Sequence, residues 1–394
     1  MDPVTASNET TSTIELGADV SGLARTRREH NVTVDVRGVS PVNRGAQLML
    51  RAVVDRLGGD FDLSSNPWQG DFSARARLGL GQTLHHYKYR RLSVVVGDRI
   101  PRVVGDKFGF VRDKDIDAIL DASGFAYSDS FSLDRHQREA FFGRRWSSAG
   151  KPKVMLPQAF GPFRDQAKAA LTKEIVAQAS LVFARDDVSM QYLSELRTGA
   201  EIRRSVDFTI GLAPAPLDPL MSDDFAAIVP NAKLISSGTT TREQYVSILR
   251  AYIGAARRAG LRPVVVVHED GDADIADELA AAEGIDVLGH VDPLVLKAML
   301  AQASVVVASR FHAVVGALAM GVPCVALGWS HKYEELMRDF GVAEWVAKLD
   351  DDAPETFDLV NGDALGAQTI RDKKPSLVAE VESMWSSTVD AISK

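Results

Sequence analysis

The 394 residues are 45% hydrophobic and 25% charged, the balance of a globular chain long enough for two domains with separate cores. A formal net charge of -8 argues against general nucleic-acid binding, although local basic clusters can still grip an anionic small molecule. The single cysteine, Cys324, can form no intrachain disulfide and suits a reducing, cytoplasmic address, and the sequence holds no run of about 18 apolar residues to span a bilayer. Any membrane contact is expected to be peripheral, at the inner face of the membrane.

Residues 1–28, rich in Thr, Ser and Asp and without the apolar core of a secretory signal, read as a disordered tail. A first domain is expected over 29–212. Asn31 to Gly38 alternates Val with polar residues, predicting a strand, and a loop then feeds a helix from about Ala46 to Leu57. In that loop Asn43, Arg44 and Gly45 set an amide, a guanidinium and a flexible backbone at a helix N-terminus, a place suited to an anion. An ordinary capped helix start explains the same residues.

Residues 60–91 show no period and carry Pro67, Trp68, Gln69 and the cluster from His85 to Arg91; they read as a solvated surface loop or as a lid over a phosphate-bearing sugar. The neighbouring pair His85 and His86 has no Cys or carboxylate at ligand spacing, so no metal is expected there. Leu92 to Gly97 predicts a strand, and Asp115 to Asp121 a helix leading to Ala126. Lys153 to Leu156 predicts a strand, Pro157 to Phe163 a turn, and Asp165 to Ala179 a helix. The next strand, Leu181 to Ala184, delivers Arg185 to its carboxyl end, either as a site residue or as a salt-bridge partner. Ile202 to Phe208 closes this half, with Asp207 next to the loop.

Gly211 to Pro219 breaks all periodicity, and a linker is expected over 213–222. A second domain over 223–372 restarts with the strand Phe225 to Val229 and the amphipathic helix Arg242 to Ala259. Pro263 to Val267 is a strand that ends on His268, Glu269 and Asp270; the acids that follow suit a helix start better than a metal. Ser304 to Tyr333 then sets strand, polar corner, helix, strand and polar corner in succession. Both corners, Ser309-Arg310-Phe311-His312 and Ser330-His331-Lys332, follow strand ends, where open parallel sheets bind ligands. A terminal amphipathic helix from Ser376 to Ile392, within 373–394, is expected to pack back toward the first domain.

Two runs of alternating strands and helices predict an α/β fold of two doubly wound, Rossmann-like domains facing a cleft. No G-x-G-x-x-G follows the first strand and no P-loop pattern occurs, so neither a dinucleotide cofactor nor a P-loop nucleotide is expected.

Taken in order, Asn43-Arg44-Gly45-Ala46, Gln158-Ala159-Phe160-Gly161-Pro162, Ala184-Arg185-Asp186 with Ser189, Val206-Asp207, Ser309-Arg310-Phe311-His312-Ala313, Gly321-Val322-Pro323 and Lys332 resemble the polysaccharide pyruvyl transferase family. Ala46 departs from the acid many members carry, and Phe208 from the proline common after the aspartate. The resemblance implies a glycosyltransferase-B-like fold. It also implies transfer of the enolpyruvyl skeleton of phosphoenolpyruvate to a sugar, giving a pyruvate ketal and phosphate. In that reading His312 and Arg310 are catalytic. Arg185, Arg310, Lys332, Asn43, Arg44, Gly45, Gln158, Gly161, Ser309 and Asp207 bind substrate, with phosphoenolpyruvate as donor, a lipid-linked, nucleotide-linked or free glycan as acceptor, and no further cofactor or metal.

Independently of the resemblance, the three cations Arg185, Arg310 and Lys332 suit a ligand that carries both a carboxylate and a phosphate. A histidine suits proton transfer near neutral pH, though a helix-start histidine bonded to backbone is the plainer reading of His312 by itself. A nucleotide-sugar glycosyltransferase or epimerase, or a non-catalytic sugar-phosphate binding protein, would use the same rim, and the oligomeric state is left open.

Overall fold

The first sheet of the computed structural model is formed by β1 (Thr33–Arg37), β2 (Asp62–Ser65), β3 (Gly81–Thr83), β4 (Phe110–Val111), β5 (Ala118–Asp121), β6 (Phe125–Tyr127), β7 (Lys153–Phe160), β8 (Leu181–Ala184) and β9 (Ile202–Arg204). Its order is β4-β3-β2-β1-β5-β7-β8-β9, with β6 on β7. The second contains β10 (Phe225–Val229), β11 (Arg262–Val267), β12 (Asp286–Gly289), β13 (Val305–Ala308), β14 (Cys324–Leu327) and β15 (Val346–Ala347), ordered β12-β11-β10-β13-β14-β15. Pairing is parallel throughout. The structure describes residues 32–39, 43–66, 72–85, 88–349 and 353–393. The expected tail at 1–28 lies outside the described residues, as do Pro67, Trp68, Gln69, His86 and Tyr87.

Parallel strands need helical crossovers that cover both sheet faces, which is why Val305–Ala308 and Cys324–Leu327 are apolar along their whole length and buried at every position. Strand order reverses between β1 and β5 in one sheet and between β10 and β13 in the other. Ligands of open α/β sheets sit at the carboxyl ends of strands beside such reversals. Ser309 and Arg310 follow β13 directly, so they stand at the second reversal.

Three elements differ from the expectation. Leu92 to Gly97 is not a strand: a helix spans Arg90–Asp98, with Val94 and Gly97 turned inward and Leu92, Val95 and Val96 exposed. Among the described residues no strand pairs with this β-branched run, and intrinsic propensity yields to context. Asp115 to Asp121 is not a helix but a 3-10 turn (Asp113–Asp115) followed by β5, a buried central strand too short to display a period. The turn expected at Pro157 is instead strand, since β7 runs on to Phe160. Its pairing with β8 shifts register between Met155 and Gln158, an irregularity that tolerates the proline.

The terminal helix also begins earlier than expected, running as Ala364–Ile392 through Pro375. It meets the first domain through Arg56 and Glu382 at 3.0 Å, and through the Val206 N–H, which donates to Glu380 at 2.9 Å.

Candidate active site

Asp207 lies just beyond β9, and Thr209 fixes it by donating from N–H and hydroxyl to Oδ1 at 3.0 and 2.6 Å. The other oxygen, Oδ2, accepts from Arg185 Nη1 at 3.2 Å and stands 3.8 Å from His312 Nε2. One buried carboxylate of the first domain thus holds an arginine of its own domain and faces the imidazole of the other. Burial would raise the Asp207 carboxyl, but His312, Arg185 and the Thr209 bonds outweigh it, so Asp207 stays below the ordinary carboxylate range.

His312 is the second residue of the helix Phe311–Ala319, and its Nε2 has no hydrogen-bond partner among the described residues. Burial pushes it down to about 4; Asp207 works against this, while Arg185, His268 and Lys332 add to it. Below it lies Gly45, where an added β-carbon would stand 2.2 Å from His312 Nδ1. Only the absence of a side chain at Gly45 lets the two domains close on the ring.

Phe311 also touches the first domain. The Arg185 guanidinium sits 4.3 Å from its ring centroid and Lys332 Nζ 5.2 Å from it. Lys332 also lies 4.8 Å from the Trp329 ring and 5.8 Å from Phe125 of β6. Burial, with Arg185, Lys233 and Arg310 adding to it, lowers the Lys332 ammonium to about 7. Arg185 and Arg310 are each paired with a carboxylate, Asp207 and Asp272, whereas Lys332 has no ion pair among the described residues, which leaves its charge for an anionic ligand.

Arg310 is held as a fork. Its Nε donates to Asp272 Oδ2 at 2.9 Å and its Nη2 to Oδ1, while Asp272 itself is fully buried. The pair orients the guanidinium, and Nη1 makes no hydrogen bond among the described residues. Ser309 carries the corner: its hydroxyl bonds Tyr245, and its carbonyl accepts from Asn231 Nδ2 at 2.8 Å and Tyr333 OH at 2.7 Å.

The first-domain loop differs from an open anion slot. Asn43 is the cap of the helix Arg44–Leu57, accepting the Ala46 N–H at 2.8 Å. The Arg44 N–H donates to Glu269 Oε1 at 2.7 Å, and Arg44 Nη2 donates to Asp270 at 2.6 Å. The helix N-terminus is therefore filled by a carboxylate of the second domain, and Arg44 latches the halves together. Burial would raise the Glu269 carboxyl, but His268, Arg310 and the Arg44 N–H hold it low.

Gly161 has φ of 77° and rests against the Tyr192 ring, where a β-carbon would come within 2.4 Å, so this glycine shapes the turn. Gln158 is fully buried, with neither amide atom partnered among the described residues, and its carbonyl accepts from the Arg185 N–H at 3.0 Å.

Spacing alone left Asp272, Glu269 and Phe311 unassigned; the one usable signal was that Glu269 follows a buried strand end, as Arg185 and Arg310 do. His85 is likewise not on a surface loop: it is buried between Arg37 at 3.2 Å and Asp113 at 3.0 Å, part of a charged network beside β1. Among the described residues no group of three or more His, Cys, Asp or Glu side chains is placed to hold a metal ion, and no helix is long and apolar enough to cross a membrane.

Next to Lys332, Trp329 borders a cleft of about 740 Å³ edged by Thr239, Thr240, Glu243, Gln244 and Ser247. A cavity of about 520 Å³ lies elsewhere, beside Lys151, Ser180 and Asp390, and touches none of the expected site residues.

The fold has many solved counterparts. The Anabaena protein HepE, solved in complex with UDP and glucose, is 14% identical over 93% of this chain and 100% of its own, with a TM-score of 0.58. The UDP-GlcNAc 2-epimerase of Neisseria meningitidis bound to UDP-GlcNAc is 9% identical over 91% and 99%, with a TM-score of 0.57. A glycosyltransferase from Rickettsia africae is 10% identical over 92% and 98%, with a TM-score of 0.57. At these identities the likeness establishes the fold, the two-domain glycosyltransferase-B-like architecture. A search of curated proteins finds no significant match. The family model described as polysaccharide pyruvyl transferase matches residues 43–331, from the latch loop through the Arg310–His312 corner, and the chain belongs to the polysaccharide pyruvyl transferase family.

Proposed function

We propose that the chain transfers the enolpyruvyl skeleton of phosphoenolpyruvate to a sugar of a polysaccharide or glycan precursor, forming a pyruvate ketal and releasing phosphate. The observation that carries this reading is the meeting of Arg185 and Asp207 of one domain with Phe311, His312 and Lys332 of the other. That gives cations for a carboxylate and a phosphate around an imidazole whose Nε2 has no hydrogen-bond partner among the described residues.

In this reading the donor lies between Arg185, Lys332 and the Asp272-anchored Arg310. A proton reaches the donor's methylene carbon, and positive charge develops at the carbon bearing phosphate. One sugar hydroxyl adds there and loses its proton. The carbon–oxygen bond to phosphate then breaks, phosphate departs to the cationic rim, and a second hydroxyl closes the ketal as its proton leaves. His312 is the group we assign to proton transfer. In the empty site it is neutral at pH 7; a multiply charged anion beside it offsets the surrounding cations and raises its proton affinity.

The acceptor approaches along the Trp329 cleft, where an indole face and hydroxyl, amide and carboxylate groups match the apolar and polar faces of a sugar. The deciding experiment supplies phosphoenolpyruvate with candidate sugar acceptors, follows phosphate release, and looks for the ketal by mass. Turnover of UDP-sugars without phosphoenolpyruvate would replace this reading with a nucleotide-sugar activity.

A further inference from the structure

The helix Arg90–Asp98 and the helix Arg102–Phe108 follow one another at the far edge of the first sheet, flanking the way from β3 to β4. Their inward positions are few: Val94, Gly97 and Gly105 are buried. The outward positions are apolar. Leu92, Val95 and Val96 fall at helical i, i+3 and i+4 with Arg99 at i+7; in the second helix Val104 and Phe108 fall at i and i+4 with Lys107 at i+3, and Val103 flanks them. Val103 is 79% exposed, Leu92 60% and Phe108 55%. Six of the twelve exposed large hydrophobic side chains among the described residues belong to these two helices. Soluble surfaces rarely gather aliphatic side chains in this way without something to cover them.

Charge selects what covers them. Residues 88–108 hold six cations (Lys88, Arg90, Arg91, Arg99, Arg102 and Lys107) against two acids, Asp98 and Asp106, a net +4 in a chain of -8. Arg91, Arg99, Arg102 and Lys107 are exposed. A second copy docking face to face would set these cations against themselves, and a generic acidic protein would answer the charge but not the aliphatic face. An anionic lipid surface answers both, taking the aliphatic side chains into the boundary between headgroups and acyl chains and pairing the arginines with phosphates.

We infer that the Arg90–Phe108 helices are a membrane-docking face, which seats the first domain on anionic lipid by shallow insertion of Leu92, Val95, Val96, Val103 and Phe108. The contact is reversible and salt-sensitive, since much of it is electrostatic. It is independent of the donor chemistry proposed above.

The test is co-sedimentation of the full chain with vesicles of phosphatidylcholine alone, or with added phosphatidylglycerol, at low and high salt. The expected result is binding to the anionic vesicles that falls with salt, and its loss in Val103→Asp combined with Phe108→Asp. Both side chains are exposed, so melting curves should show the double variant folded. Arg91→Ser with Arg102→Ser should weaken partitioning by roughly thirtyfold while leaving the aliphatic face in place. Failure of the native chain to bind anionic vesicles overturns the assignment, as does undiminished binding by the aspartate variant. A dimer of the native chain that dissociates in that variant, with no vesicle binding, would give the face to a second copy instead.

Discussion

Gly45 and His312 lie in van der Waals contact across the two domains, so close that a β-carbon on the glycine would stand 2.2 Å from the imidazole Nδ1. The latch loop thus does two jobs: Arg44 ties the first domain to Glu269, and the next residue forms the floor beneath the histidine. Gly45→Ala should leave the chain folded but push the ring aside. An error of about 1 Å in a reacting group costs about 10²-fold, so turnover should fall by about that factor with little change in phosphoenolpyruvate affinity. Steady-state kinetics with a binding isotherm checks it; an unchanged turnover would show that the ring position does not matter.

Much of this was legible in the sequence where strong punctuation flanks short buried strands. Gly321 and Pro323 stop the helix Phe311–Ala319, the strands on either side are continuous apolar runs, and Arg310, His312 and Lys332 fall at their ends. What spacing could not carry is pairing at long range. Asp272 and Arg310 are 38 positions apart, and Arg44 and Glu269 are 225 apart, so neither bond leaves a local trace. The strand expected at Leu92 to Gly97 failed for the complementary reason: a β-branched run makes a strand only beside another, and here it lies on the surface as helix.

Phosphoenolpyruvate binding should take up protons. Lys332, lowered to about 7 by burial and by neighbouring cations, is mostly neutral at about pH 8 in the empty site. A bound carboxylate and phosphate would restore its charge, so uptake approaching about one proton per ligand is expected. Calorimetry in buffers of different ionisation enthalpy measures it. Lys332→Met should remove most of the uptake at about pH 8, leaving what His312 takes up, and an undiminished uptake in that variant, or none in the native protein, would remove Lys332 from the anion site.

Lys297 reaches from the helix Pro293–Ala301 to the turn after Asp207, donating to the carbonyls of Thr209 at 3.0 Å and Leu212 at 2.6 Å. Lys297→Met leaves the Leu212 carbonyl without its donor and the Thr209 carbonyl with only the Leu212 N–H at 3.2 Å, and should cost about 1 to 3 kcal/mol of stability. Burial lowers the Lys297 ammonium to about 8, below its value in an unfolded chain. Between about pH 8 and about pH 10.4 the unfolded chain therefore binds more protons than the folded one. The contribution of Lys297 to stability should rise with pH across that window and be least below it. Urea unfolding of the native and Met forms at neutral pH and near pH 10 tests the sign; a gap that narrows on going alkaline would refute it.

The final expectation separates binding from chemistry at His312. Its Nε2 has no hydrogen-bond partner among the described residues, and Asp207 Oδ2 at 3.8 Å is placed to steady an imidazolium when one forms. The groups we assign to the anion are Arg185, Arg310 and Lys332, none of which depends on the histidine for a hydrogen bond. His312→Gln keeps an amide nitrogen of similar reach but cannot exchange a proton near neutral pH. Donor affinity should stay within a few-fold while turnover falls by about 10² to 10⁴-fold, the range for a positioned acid or base. Asp207→Asn should lower turnover as well, by withdrawing the charge that favours protonation, and should loosen Arg185, so that here affinity falls too. If His312→Gln instead turned over normally while binding phosphoenolpyruvate much more weakly, the histidine would be an anion ligand. Lys332, whose ammonium lies near 7, would then be the proton donor to test next.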